Sequence, residues 1–207
     1  MLKATLKNLI NKTLGVYDPQ PIIAPLQPYK GQQDHAVVVD GKIVDIVITE
    51  LHGFTEEQHD FFVRTCQLLC AVVNSKEFEA RFMAMKFRET KGLTNQQLYN
   101  MIIKGMNGGE KVGDGALDII YTLYGDENQR VKTIGYSYKS KNGIWTDRYF
   151  VEKWMKEKYG KAKLAGHIFH ELCHQLGTGF THRVHKGSFV YEAGYLVREL
   201  VKAKINH

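Results

Sequence analysis

Lys161-Ala162-Lys163-Leu164-Ala165-Gly166-His167-Ile168-Phe169-His170-Glu171-Leu172-Cys173-His174-Gln175-Leu176-Gly177 carries more information than any other part of this chain. It contains no proline and meets a glycine at its end, so a helix is predicted from about Lys161 to Leu176, stopping at Gly177. His170 and His174 are four apart and therefore share one helix face, one turn from each other. Two imidazoles at that spacing reach one tetrahedral metal ion at about 2.0–2.1 Å. Glu171, the next residue round the helix, is placed instead to reach a metal-bound water and take its proton. This is the mechanical content of an H-E-x-x-H pattern, and the ion it implies is zinc. The neighbours Ile168, Phe169, Leu172, Cys173, Gln175 and Leu176 are uncharged, as a buried helix supporting such a site requires. The competing reading is a pair of ordinary histidines on an ordinary helix.

On the C-terminal side, a last helix is expected from Ser188 to about Lys204. On the N-terminal side, Leu117 to Tyr124, Thr133 to Tyr138 and Gly143 to Thr146 are rich in β-branched and aromatic residues. Gly125-Asp126 and Lys141-Asn142-Gly143 punctuate them, which predicts neighbouring antiparallel strands. A helix carrying Phe150 and Trp154 follows. Further upstream, Ala36 to Val39 and Lys42 to Thr49 flank Asp40-Gly41 and read as a β-hairpin. Thr55-Glu56-Glu57-Gln58 has capping-box form and opens a helix through Phe61, Phe62, Leu68, Leu69, Val72 and Val73. A short helix carries Phe78, Phe82 and Met83, and Thr94-Asn95-Gln96-Gln97 opens another ending near Gly108-Gly109. The order predicts an α+β domain with a small, mostly antiparallel sheet, spanning residues 31–207.

Residues 1–30 read differently. Leu2, Leu6, Leu9 and Leu14 fall near helical spacing, with Lys3, Lys7 and Lys12 between them. These lysines break any apolar signal-peptide core, so no secretion signal is expected. All four prolines follow, between Pro19 and Pro28, and proline fixes φ and removes a donor. Two readings are open for this amphipathic helix and extended arm: a semi-rigid linker, or an arm that docks its leucines on a protein partner. The chain has 207 residues, 43% hydrophobic and 24% charged, within the range of one globular domain. Its formal charge of +6 is spread along the sequence without an aromatic-interleaved basic cluster, which argues against nucleic acid. Three cysteines, Cys66, Cys70 and Cys173, do not make a disulfide framework and suggest a reducing compartment. No run approaches a transmembrane length. A cytoplasmic or virion-associated protein is expected.

His170-Glu171-Leu172-Cys173-His174-Gln175-Leu176-Gly177 resembles the active-site helix and glycine turn of the zincin metallopeptidases, on the metzincin side. Gly143-Ile144-Trp145-Thr146-Asp147-Arg148 and Ala165-Gly166-His167 are similar to the strand and helix start of small bacterial and phage zincin-like proteins. The resemblance covers about residues 115 to 200. It implies a zincin-like fold, a bound zinc, and an edge strand beside the helix that pairs with the substrate backbone, here within Tyr136 to Trp145. It also departs from that family. The metzincin pattern places a third histidine three residues after the glycine, where this chain has Phe180, and no methionine follows Met155 to make a Met-turn.

The third ligand therefore stays open between His182, Glu192 and His185. His182 is preferred, because Gly177-Thr178-Gly179 has the backbone freedom for a turn two residues longer. Glu192 resembles the glutamate ligand of the thermolysin-like branch. Tyr191 and Tyr195 are candidate donors to a tetrahedral oxyanion, with helix packing as the plainer role. His167 is a candidate supporting residue, Cys173 a small core residue, and Trp145 is expected above the active-site helix at the sheet edge. Two functions follow. One is a zinc-dependent metallopeptidase acting on a peptide or protein substrate, with Zn-activated water and Glu171 as general base. The other is a non-catalytic zincin-fold component of a larger assembly, of which a phage particle is one example.

Overall fold

The computed structural model describes residues 36–108, 112–126, 133–137, 143–183 and 185–206. The amphipathic helix and proline-rich arm predicted within residues 1–30 lie outside the described residues. Among those described, the fold is α+β, with six helices and a five-stranded sheet. The strands are β1 (Val37–Val39), β2 (Asp45–His52), β3 (Ala116–Tyr124), β4 (Gly135–Ser137) and β5 (Gly143–Asp147). The helices are α1 (Glu56–Val73), α2 (Lys76–Ala84), α3 (Asn95–Ile103), α4 (Arg148–Met155), α5 (Gly160–Gln175) and α6 (Phe189–Ile205). No helix among the described residues is long and apolar enough to cross a membrane.

Local chemistry sets most helix starts. Thr55 and Thr94 each close a capping box with Gln58 and Gln97, and Ser75, Asp147 and Ser188 cap α2, α4 and α6. α3 ends at Ile103, short of the Gly108-Gly109 limit expected, because Gly105 turns left-handed at φ 66°.

The sheet is mixed, which corrects the mostly antiparallel expectation. Its order is β1-β2-β3-β5-β4. The outer pairs β1–β2 and β4–β5 are antiparallel, whereas β2–β3 and β3–β5 are parallel. The reason lies in the connections. β2 reaches β3 through α1, α2 and α3, a crossover long enough to restart a strand in the same direction. β5 then inserts beside β3, displacing β4 to the edge. The β1–β2 link also differs from a tight Asp-Gly turn. Val39 pairs with Ile46, and the wider loop is held by the Asn74 side chain, whose Oδ1 accepts from Ile43 N and Val44 N at 2.6 and 3.0 Å.

One face of the sheet is buried under helices. Leu117, Ile119, Tyr121 and Leu123 alternate inward along β3 with half-buried residues between them. Thr146 of β5 faces the same way, since its hydroxyl meets His167 of α5. Trp145, between Ile144 and Thr146, therefore lies on the opposite face, stacked on Tyr136 with ring centroids 5.5 Å apart. This corrects its expected place above the active-site helix.

α5 is wedged between sheet and α6. The two helices meet at Gly166 and Gly194, where a Cβ on either would fall 2.8 Å from the other's carbonyl oxygen. A methyl there must push backbone away from backbone. Gly194→Ala is expected to lower unfolding free energy by about 1–3 kcal/mol in chemical denaturation, although alanine is the better helix former. Unchanged stability would show that the helices can separate without cost.

Candidate metal centre and cleft

The end of α5 shapes the site. Leu176 leaves helical backbone, and Gly177 and Gly179 take positive φ of 53° and 74°. The positive φ at Gly177 favours glycine, and an added Cβ would also have to move the Met101 methyl, 2.4 Å away. The chain thus reverses, and Phe180 N–H donates to His174 O at 3.1 Å. In return the Phe180 carbonyl lies 2.7 Å from His174 Nδ1. A carbonyl only accepts, so Nδ1 carries the proton and Nε2 keeps its lone pair, the usual arrangement of a metal-ligating histidine.

Two residues further on, His182 comes into contact with both helix histidines. Its ring centroid is 5.5 Å from that of His170 and 5.0 Å from that of His174. One ligand atom from each of His170, His174 and His182 lies within 4.8 Å of the other two, and among the described residues no other group of three metal-ligating side chains does so. The donor set fits a zinc ion: three imidazole nitrogens, one tautomer already fixed, with His170 also lining the cleft. Burial, followed by the neighbouring histidines, holds the His170 imidazole far below its usual range, and burial also lowers His182. Both rings are therefore neutral at pH 7, the form that offers a lone pair to a cation.

The other candidates for third ligand sit elsewhere. Glu192 Oε1 accepts from Gly187 N at 2.8 Å, closing the loop before α6. His185 is exposed, its centroid 5.8 Å from that of His182, and it is outside the three-histidine group. Tyr191, on the first turn of α6, is half-buried against His170 and His182 at 4.5 Å each and against His185 at 4.4 Å. Burial raises its pKa, which keeps the phenol a hydrogen-bond donor. Tyr195 is 46% exposed and one turn further from the histidines.

Glu171 is the next residue round α5 from His170, with its carboxylate between that histidine and His167. It is only 3% exposed, and its Oε2 is buried with no hydrogen-bond partner among the described residues. Its Oε1 lies 4.0 Å from His170 Nε2 and 3.7 Å from His167 Nδ1. Burial pushes the carboxyl up to about 8, with Ser137 acting in the other direction. A dication on the adjacent histidines would draw it back down. Behind it, His167 Nε2 is 2.8 Å from Thr146 Oγ1, which is 2.7 Å from Tyr121 Oη. His167 thus connects the carboxylate to a buried hydroxyl pair on the sheet.

No family model, curated protein or solved structure matches the chain. The site must therefore be argued from its own geometry. A cleft of about 610 Å³ opens on it, lined by His167, His170, Glu171, Tyr191, Trp154 and Arg198 among others. Gly135, the first residue of edge strand β4, lines this cleft together with Thr133 and Ile134 before it. Gly135 approaches so closely that a Cβ would meet His167 Nε2 at 2.6 Å, and Ser137 Oγ donates to Glu171 O at 3.0 Å. The edge strand expected within Tyr136 to Trp145 is thus β4 alone, with Trp145 one strand further in; residues 138–142 lie outside the described residues. Sequence reasoning missed Thr146 and the Phe180 carbonyl. The first is an unremarkable strand threonine, and a main-chain acceptor has no sequence signal.

Two results are expected. Elemental analysis should find about one zinc per chain in the wild type and the His185→Ala variant, and much less in His182→Ala, since three protein ligands complete the site. Thr146→Val leaves His167 Nε2 and the Tyr121 hydroxyl without their shared partner, and should destabilise the fold by about 1–3 kcal/mol in thermal or chemical unfolding.

Proposed function

We propose that this chain is a zinc-dependent metallopeptidase of zincin type, cleaving a peptide or protein substrate laid along the cleft. The observation that carries this reading is the Glu171 carboxylate. It is buried beside His170, lines the cleft and keeps one oxygen without a hydrogen-bond partner among the described residues. Buried carboxylate oxygens are ordinarily hydrogen-bonded, so one kept without a partner beside a histidine cluster is a group retained for chemistry in this reading.

His170, His174 and His182 hold the ion in this reading. Zinc, when bound, polarises a carbonyl and brings the pKa of a coordinated water toward 7. Glu171 accepts the proton of the attacking water and then delivers it to the departing amine. His167, supported by Thr146, keeps the carboxylate in place from behind. Tyr191 donates to the carbonyl oxygen as negative charge develops there, a role that suits a protonated phenol in contact with two ligand rings. The outer edge of β4 supplies main-chain groups to an extended substrate, by the pairing used wherever a peptide adds a strand to a sheet edge.

Glu171→Gln tests the proposal. The substitution keeps shape and removes the base. Hydrolysis of a broad peptide library, followed by mass spectrometry, should fall by about 10²–10⁴ while zinc content stays at the wild-type level. Equal cleavage by both proteins would eliminate Glu171 as the base. Zinc binding without cleavage in either would favour the non-catalytic role in a larger assembly.

A further inference from the structure

The described residues of the loop that carries His182 form neither helix nor strand. It leaves α5 at Leu176 and enters α6 after Ser188. A ligand on such a segment is useful only if something outside the loop fixes it, because an unrestrained loop spreads over many conformations. The structure supplies that restraint from residues 88–91, between α2 and α3.

These residues touch the loop near its start, in its middle and at its end. Lys91 Nζ lies 3.2 Å from Thr178 Oγ1 and 5.5 Å from the centre of the Phe180 ring. Glu89 Oε1 accepts from Arg183 N, the residue after His182, at 2.9 Å. Arg88 N donates to Gly187 O at 2.7 Å, and Arg88 O accepts from Phe189 N at 3.0 Å. The segment takes an uncommon backbone shape to do this. Glu89 and Lys91 have φ of 58° and 56°, and no other described residue apart from glycines has positive φ. Non-glycine residues persist in the left-handed region where surrounding contacts over-determine them, and such positions cluster at functional sites. The second carboxylate oxygen of Glu89 is buried without a hydrogen-bond partner among the described residues.

We propose that residues 88–91 form a strap that holds His182 in the ligand set, with Glu89 as its positioning residue through the Arg183 N–H. The inference rests on the reading of His170, His174 and His182 as metal ligands and extends it to a residue nearly a hundred positions earlier in the chain. Glu89 touches no substrate. Its effect passes through the backbone beside His182, so it appears first in metal affinity.

The experiment is a zinc titration of the chelator-treated full-length protein against a competing chromophoric chelator. It compares the wild type with Glu89→Gly, Glu89→Gln and His182→Ala. Glycine adopts the left-handed backbone of position 89 without strain, so Glu89→Gly removes the carboxylate and leaves the fold intact, as far-UV circular dichroism would verify. Zinc affinity is expected to drop about 10–100-fold in Glu89→Gly, the range found when supports behind metal ligands are removed. Glu89→Gln retains an oxygen acceptor for Arg183 N–H and should recover most of that loss. Wild-type affinity in Glu89→Gly, alongside weak binding by His182→Ala, would overturn the strap and leave the metal centre standing. Equal zinc binding by wild type and His182→Ala would overturn the ligand assignment itself, and the strap with it.

Discussion

The close crossing of α5 and α6 at Gly166 and Gly194 is the constraint on which the site depends. With no side chain at either position, backbone meets backbone, and a Cβ at Gly194 would stand 3.1 Å from His170 Cβ. The helix bearing the two spaced histidines is thereby pressed against the first turns of α6. Tyr191 reaches both His170 and His182 because α6 passes so near. The crossing also fixes both ends of the loop between the helices. Closing that loop costs less once the crossing has formed, since its ends are already neighbours.

Within this frame, a set of polar groups has been placed where apolar ones would be more stabilising. Ile168, Phe169, Leu172 and Cys173 on α5 are at most 1% exposed, and Glu171 and Gln175 are buried among them. Gln175 has a structural use, donating from Nε2 to Gly143 O at 3.0 Å and tying the helix to β5. Thr146, His167 and Tyr121 satisfy one another in turn. Glu171 Oε2 and Gln175 Oε1 are left without hydrogen-bond partners among the described residues, and of the two only the carboxylate lines the cleft. Leaving a carboxylate oxygen buried without a partner costs stability, and proteins retain such groups where function needs them.

The sequence made the local parts legible and left the non-local parts hidden. The spacing of His170, Glu171 and His174 and the capping residues Thr55, Thr94 and Ser188 are governed by neighbours within a turn, so pattern alone exposes them. Strand direction is governed by where the chain goes between strands. Leu117 to Tyr124 and Gly143 to Thr146 look the same whether paired parallel or antiparallel, and only the insertion of β5 between β3 and β4 makes them parallel. The side of the sheet that Trp145 occupies follows from the same pairing. A one-residue change of register would reverse it. Glu89 was invisible for a related reason, because its partner is the main-chain N–H of Arg183, far along the chain.

Phe180 shows how the turn after α5 is held. Its side chain is 1% exposed and packs on Phe189 with centroids 4.9 Å apart. Its main chain is bonded twice to His174, through N–H to the carbonyl and through the carbonyl to Nδ1. The position has thus become an anchor, with the ring held in the core and the backbone pinned to the helix end. In extended chain, residues two apart point to the same side, but the turn at Gly177 and Gly179 alters that direction before Phe180 is reached. The next side chain free to turn toward His170 and His174 is then His182. The same turn buries the Phe180 ring and brings His182 beside His170 and His174, so a three-histidine group is assembled from a helix face and a loop.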